Sequence, residues 1–251
     1  LWVVSPRACT YALFEITHLS MRHGFSKATG IGFGMLASQL CSDFAAPELG
    51  RSLGEMSLVV QEKCGESFFR AAVSFVYYNH TAYWFEHLMW GRDEIIRAFH
   101  TGMQDGNTQW ASYAINHYCF RPLLAGASLA LAKADFDRLA PAITNLDKRD
   151  ANDYFQLPRQ TVANLVGPAR DPLSLDGDYF DEKTVMKWVL EEENHGTLSL
   201  IYFCRLFLAC IFGRNDLAME AVEFAEEHIT ETRSQYQSFL GNFLCGFALI
   251  Q

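Results

Sequence analysis

Gly24, Gly65 and Gly106 stand at equal intervals of forty-one residues, and each closes a stretch whose apolar residues recur at three and four. A second pair, Gly50 and Gly91, repeats the same interval, at points where one helix is expected to hand over to its antiparallel partner. Two glycine series with one period describe a chain of helical hairpins, because stacked repeats of 20–45 residues are how short helices bury their apolar faces. Glycine suits such joints because it alone enters the left-handed region without steric cost.

The three-and-four periodicity covers nearly the whole chain. Helices are expected near residues 8–23, 27–42, 47–64, 67–88, 92–104, 108–124, 128–146, 150–166, 182–194, 197–212, 215–229 and 232–250. No run alternates Val, Ile and Thr between hairpin turns, so the fold class is all-α. The segment Trp90-Gly91-Arg92-Asp93-Glu94-Ile95 resembles Phe212-Gly213-Arg214-Asn215-Asp216-Leu217, one residue short of three periods later. Asp93 and Asn215 are expected to cap the helices that follow.

Gly167-Pro168 and Pro172, followed by Asp176-Gly177, interrupt the rhythm as a long loop. The expected organisation is helical hairpins over 1–166, a loop excursion over 167–181, and further hairpins over 182–251. The loop reads as an excursion rather than a domain joint, because Phe212-Gly213 returns to the original phase.

Half of the 251 residues are hydrophobic and a fifth charged, ample to bury a core. The net charge of −9 argues against nucleic acid or an anionic membrane as partner, since both demand a basic face. The longest apolar run, 198–213, contains Arg205 and is too short to cross a hydrocarbon layer of about 30 Å. The opening residues Leu1 to Pro6 carry neither an initiator Met nor a basic leader and read as the interior of a longer protein. The apolar helix through Phe239, Phe243 and Phe247 would leave a face for a further repeat to cover.

Seven cysteines without metal-ligand spacing point to free thiols in a reducing compartment, the cytoplasm. Cys119, Cys204, Cys210 and Cys245 sit among aromatics and leucines and read as small buried hydrophobes. Gly30, Gly32, Gly34 and Ala37 form a strip of small residues. It lacks the preceding strand and the Lys-Ser/Thr of a nucleotide loop and reads as a surface for close helix packing.

Candidate chemistry centres on Tyr77, His80, Trp84 and His87, the densest cluster of aromatics and imidazoles. On a continuous helix the two histidines share one face about 10 Å apart, too far to hold one metal ion unaided. The pattern is first that of aromatics packed between neighbouring hairpins with histidines at their rim, and the cluster is second a candidate partner or ligand surface. Glu191-Glu192-Glu193 with His195, and Glu226-Glu227-His228, read as solvated faces. No nucleophile stands in a recognisable motif.

The blocks Tyr83-Trp84-Phe85-Glu86-His87-Leu88, Gly102-Met103-Gln104-Asp105-Gly106-Asn107, Trp110-Ala111-Ser112-Tyr113-Ala114 and Tyr118-Cys119 resemble the helical-repeat region of very large signalling ATPases. The resemblance continues through Gln160 to Gly167, Leu175 to Glu182 and Leu208 to Gly213. The family usually has Gly-Asp where this chain has Gly106-Asn107, and His-Trp where it has Tyr83-Trp84. In that family the region follows an AAA/STAND-type ATPase module, often behind a serine/threonine kinase-like domain. It precedes GAF and histidine-kinase or cyclase domains in many members.

The resemblance implies a tetratricopeptide-like α-solenoid with no catalytic residue and no cofactor of its own, ATP and Mg belonging elsewhere in the parent protein. Its partners would be the adjacent domains of the same polypeptide and another protein. A small-effector sensor controlling the ATPase is the alternative, and an all-helical enzyme using His80, His87 or the acidic clusters a third.

Overall fold

The structure, a computed structural model, describes residues 6–146, 148–167, 171–228 and 236–250. Twelve α-helices and no strand occur among them: α1 (Pro6–His23), α2 (Thr29–Ser42), α3 (Pro47–Cys64), α4 (Ser67–Val76), α5 (Arg92–Gln104), α6 (Thr108–Leu124), α7 (Leu129–Thr144), α8 (Arg149–Val166), α9 (Glu182–Glu191), α10 (His195–Ile211), α11 (Asn215–His228) and α12 (Tyr236–Ile250). Each coincides within a few residues with an expected helix, except that the fourth ends early. None of the described helices is long and apolar enough to cross a membrane.

Two compact units make up the chain, Leu1–Tyr118 and Cys119–Gln251, with the boundary inside α6. In the first unit α2 packs against α1, α3 and α4, and α4 against α5. The glycine strip of α2 explains that central place. A Cβ at Gly32 would lie 2.5 Å from Ile16 of α1, and one at Gly30 would lie 3.0 Å from Gln61 of α3. Leu13, Leu36 and Leu40 form the core there, with Leu53 packed against them.

The glycine series divide by mechanism. Gly24 and Gly106 follow α1 and α5 with φ of +94° and +76°, as expected of helix terminators. Gly65 closes α3 in the extended region instead (φ −75°, ψ 151°). Gly91 is a true joint at φ +72°. Gly50 is not: it lies within α3, where a Cβ would come 2.4 Å from Cys41 Sγ and 2.8 Å from the Ala37 carbonyl oxygen. It is a contact point between α2 and α3. Asp93 and Asn215 also depart from expectation, because both lie inside their helices. The residue before α5 is Gly91, with no side-chain cap, and Asp93 meets the helix dipole from the first turn.

In the second unit α7 pairs with α8, and α10 packs against α8, α9, α11 and α12. Ser128, Asp181 and Asn194 cap α7, α9 and α10 by accepting from Leu131 N, Thr184 N and Thr197 N. None of the seven cysteines is in a disulfide. Cys119 and Cys204 are buried, whereas Cys210 and Cys245 are half-buried. Burial pushes the Cys204 thiol up to about 12.

The segment 171–181 is tied to α8. Asn164 Nδ2 donates to the carbonyls of Pro172 (3.2 Å) and Ser174 (2.6 Å), Gln160 Oε1 accepts from Tyr179 N (2.9 Å), and Leu175 and Phe180 are buried. Asn164→Ala is expected to cost about 1 kcal/mol, the usual net worth of such bonds. The same change should open 171–181 to limited proteolysis, so a cleavage rate equal to wild type would contradict the anchoring.

Asp153 accepts from Trp188 Nε1 at 3.0 Å and lies 3.7 Å from Arg149. Burial, opposed by that hydrogen bond and charge, raises its carboxyl above the ordinary value. The folded protein therefore holds this proton to higher pH than the unfolded chain. The resulting stability is full below the unfolded value of about 3.9 and is lost as pH rises through the folded one. Asp153→Asn should remove that loss, so urea denaturation at acid and at neutral pH is expected to show the variant gaining on wild type as pH rises.

Candidate functional site

The apolar spacing of α4 runs on past Val76, yet the helix does not. Residues Tyr77–Thr81 form a π-turn and Ala82–Trp84 a 3-10 turn, which replace the continuous helix expected to residue 88. Gly54 of α3 packs against this turn: a Cβ there would lie 2.9 Å from the Tyr77 ring and 3.2 Å from Thr81 Cγ2, so its absence leaves the room that these side chains occupy. Side chains then alternate, with Tyr77, Asn79 and Thr81 buried and Tyr78 and His80 half-buried. Asn79 and Thr81 are both 0% exposed, and neither Asn79 Oδ1 nor Thr81 Oγ1 has a hydrogen-bond partner. Single π-turns are rare and concentrate at functional positions.

The four expected site residues stand on different elements, Tyr77 and His80 in the π-turn, Trp84 in the 3-10 turn and His87 beyond it. His80 meets Phe75 edge-on at 5.5 Å between ring centres, with Asn79 Nδ2 3.5 Å from its Nε2. His87 is exposed, and its Nδ1 accepts from Met89 N at 3.2 Å, a turn contact far from any shared helical face with His80. Trp84 stacks on Tyr83 at 5.8 Å. Tyr77 meets Tyr78 edge-on at 5.0 Å, and burial pushes its hydroxyl up to about 12.

What His80 does join is a cluster centred on Phe75, which is 2% exposed. Around that ring stand His117 at 5.3 Å, Trp110 at 5.9 Å and Tyr113 at 6.4 Å, all from α6. The two imidazoles are 6.4 Å apart, and His117 is only 3% exposed. Trp110, Tyr113 and His117 stand at steps of three and four on one face of α6, a pattern the sequence displays without showing that Phe75 meets it.

On the far side of the π-turn a recess of about 370 Å³ opens between Tyr78, Trp90, Arg92 and Arg97. Tyr78 and Trp90 wall it at 5.5 Å between rings. Gly91 shapes its floor: a Cβ there would meet the Tyr78 ring at 2.5 Å. Arg97 is ion-paired with Glu94, and the Arg92 guanidinium lies 3.7 Å over the Tyr118 ring. Burial, and then Glu94, raise the Tyr78 hydroxyl. The recess thus has aromatic walls and side chains of both charges, Arg92, Asp93, Glu94 and Arg97.

Glu191, Glu192 and Glu193 are exposed, as expected of a solvated face. The side chains of Glu226, Glu227 and His228 lie outside the described residues. Among the described residues no group of three or more His, Cys, Asp or Glu side chains is arranged to hold a metal ion. Set against protein-family models, curated proteins and solved structures, the chain matches none.

Proposed function

We propose that this chain is a helical-repeat segment of a large signalling ATPase, acting as an interaction scaffold or regulatory arm between the ATPase and an output domain. One observation carries the reading. Helices adjacent in sequence pack on one another from α1 to α5, between α7 and α8 and from α9 to α12, and the related segments at Trp90 and Phe212 each place a left-handed glycine, Gly91 and Gly213, before a helix. Neighbour-to-neighbour packing is the physics of a repeat array, which bends through small rotations and offers an extended surface. The family resemblance supplies the context.

Two experiments test it. The reading frame on either side should encode a Walker motif upstream and a kinase, GAF or cyclase signature downstream, and their absence would sink the reading. Deleting the segment from the parent protein should leave nucleotide hydrolysis and output each measurable but uncoupled.

A second reading is favoured by the buried, unpartnered Asn79 Oδ1 and Thr81 Oγ1 of the π-turn together with the aromatic recess at Tyr78 and Trp90. Here the segment senses a small effector that releases the ATPase. A metabolite that reproducibly raises the melting temperature of wild type, but not of Trp90→Ala, would support it. A screen without such a compound would leave the scaffold as the better account.

A further inference from the structure

The outward face of α3 has the pattern of a helix seam. Leu49, Met56 and Val59 are 59, 47 and 49% exposed. With Ser52 and Lys63 they occupy positions 49, 52, 56, 59 and 63, alternating steps of three and four that form one stripe along the helix. The polar member in mid-stripe is already satisfied, because Ser52 Oγ donates to the Glu48 carbonyl at 3.0 Å. The opposite face, with Gly50, Gly54, Ser57 and Gln61, is buried.

Three carboxylates line one edge of this stripe. Glu48, Glu55 and Glu62 stand seven residues apart, each immediately before a stripe residue, and all three are exposed. Glu55 is ion-paired with Arg51 at 3.2 Å. The other edge carries Leu53 and Val60, which turn into the protein's own core. The seam therefore carries three apolar anchors, Leu49, Met56 and Val59, with Ser52 between the first two and Lys63 at its end, and is acidic on its one free flank.

We infer that this face docks an amphipathic helix of a partner protein, with leucine-class anchors at steps of three and four and Lys or Arg along one flank. The inference rests on the scaffold reading and names the surface that reading needs. A helix laid on an apolar stripe gains affinity from its anchors, and flanking charges choose the partner and its orientation. Charge also argues against a second copy of this chain. Antiparallel pairing of two α3 faces would set one glutamate row against the other, and parallel pairing would aim each row at Leu53 and Val60.

The test uses the 251-residue chain and two fluorescent helical peptides with identical leucine anchors, one with a lysine flank and one with a glutamate flank. Anisotropy titration is expected to show the lysine peptide binding about tenfold more tightly, with the preference shrinking as salt is raised. Met56→Asp should weaken it by about tenfold, as loss of a central anchor does. The triple change Glu48→Lys, Glu55→Lys and Glu62→Lys should invert the preference. If that variant folds poorly by circular dichroism, Glu48→Gln, Glu55→Gln and Glu62→Gln should abolish it.

Equal affinity for the two peptides, binding of neither, or a preference unmoved by the charge changes would each overturn the α3 surface. The scaffold reading stands or falls separately, on the reading frame and the uncoupling experiment.

Discussion

Replacing Phe75 with alanine is expected to destabilise the protein by about 3–5 kcal/mol, the range for removing a fully buried aromatic side chain. Four rings meet this one, His80, Trp110, Tyr113 and His117, at centre distances of 5.3 to 6.4 Å. Edge-on and offset aromatic pairs add about 0.5–1.5 kcal/mol each beyond burial, and they connect the end of α4 to α6. Urea denaturation gives the total. A double-mutant cycle with His117→Ala tests the connection, because residues sharing one cluster lose their coupling only once. A cost below about 1.5 kcal/mol, or additive effects at Phe75 and His117, would mean that the site can collapse and that Phe75 is not its organising residue.

The same residues explain what the sequence could and could not disclose. Helix positions were legible because amphipathic spacing is local, and caps such as Ser128, Asp181 and Asn194 mark starts within a few residues. The π-turn was not. Tyr77, His80, Trp84 and His87 keep to steps of three and four, so nothing local distinguishes them from a helix that continues. The turn packs against Gly54, more than twenty residues earlier, which becomes its neighbour only through the packing of α3 on it.

Tertiary packing likewise decides the partner of His80, since His117 lies thirty-seven residues further on. The α3 stripe shows the converse limit. Leu49, Met56 and Val59 have the spacing of ordinary core residues, and only the burial of the opposite face by α2 turns them into an outward seam. Periodicity says that a helix has an apolar face; it does not say which neighbour, if any, covers it.

The glycine period carries the second large prediction, which compares one glycine from each of its two series. Gly50→Ala is expected to cost about 2–3 kcal/mol, in the upper part of the range for overpacking a tight contact. The added methyl would face the Ala37 carbonyl oxygen at 2.8 Å as well as Cys41 Sγ at 2.4 Å. Backbone cannot rotate away, so α2 and α3 must separate, and the separation disturbs the helix against which α1 and α4 also pack. Alanine's better helix propensity returns only about 1 kcal/mol. At Gly106 the balance differs: a Cβ there has nothing within 4 Å, and only the left-handed φ of +76° resists substitution. Gly106→Ala should therefore cost about 1–2 kcal/mol through backbone strain alone. Adding Cys41→Ala to each variant distinguishes the two mechanisms by thermal denaturation. It should recover part of the loss at Gly50, by removing one of the two colliding atoms, and none at Gly106. Equal rescue at both positions, or none at Gly50, would show that the Cys41 contact is not what resists alanine at Gly50.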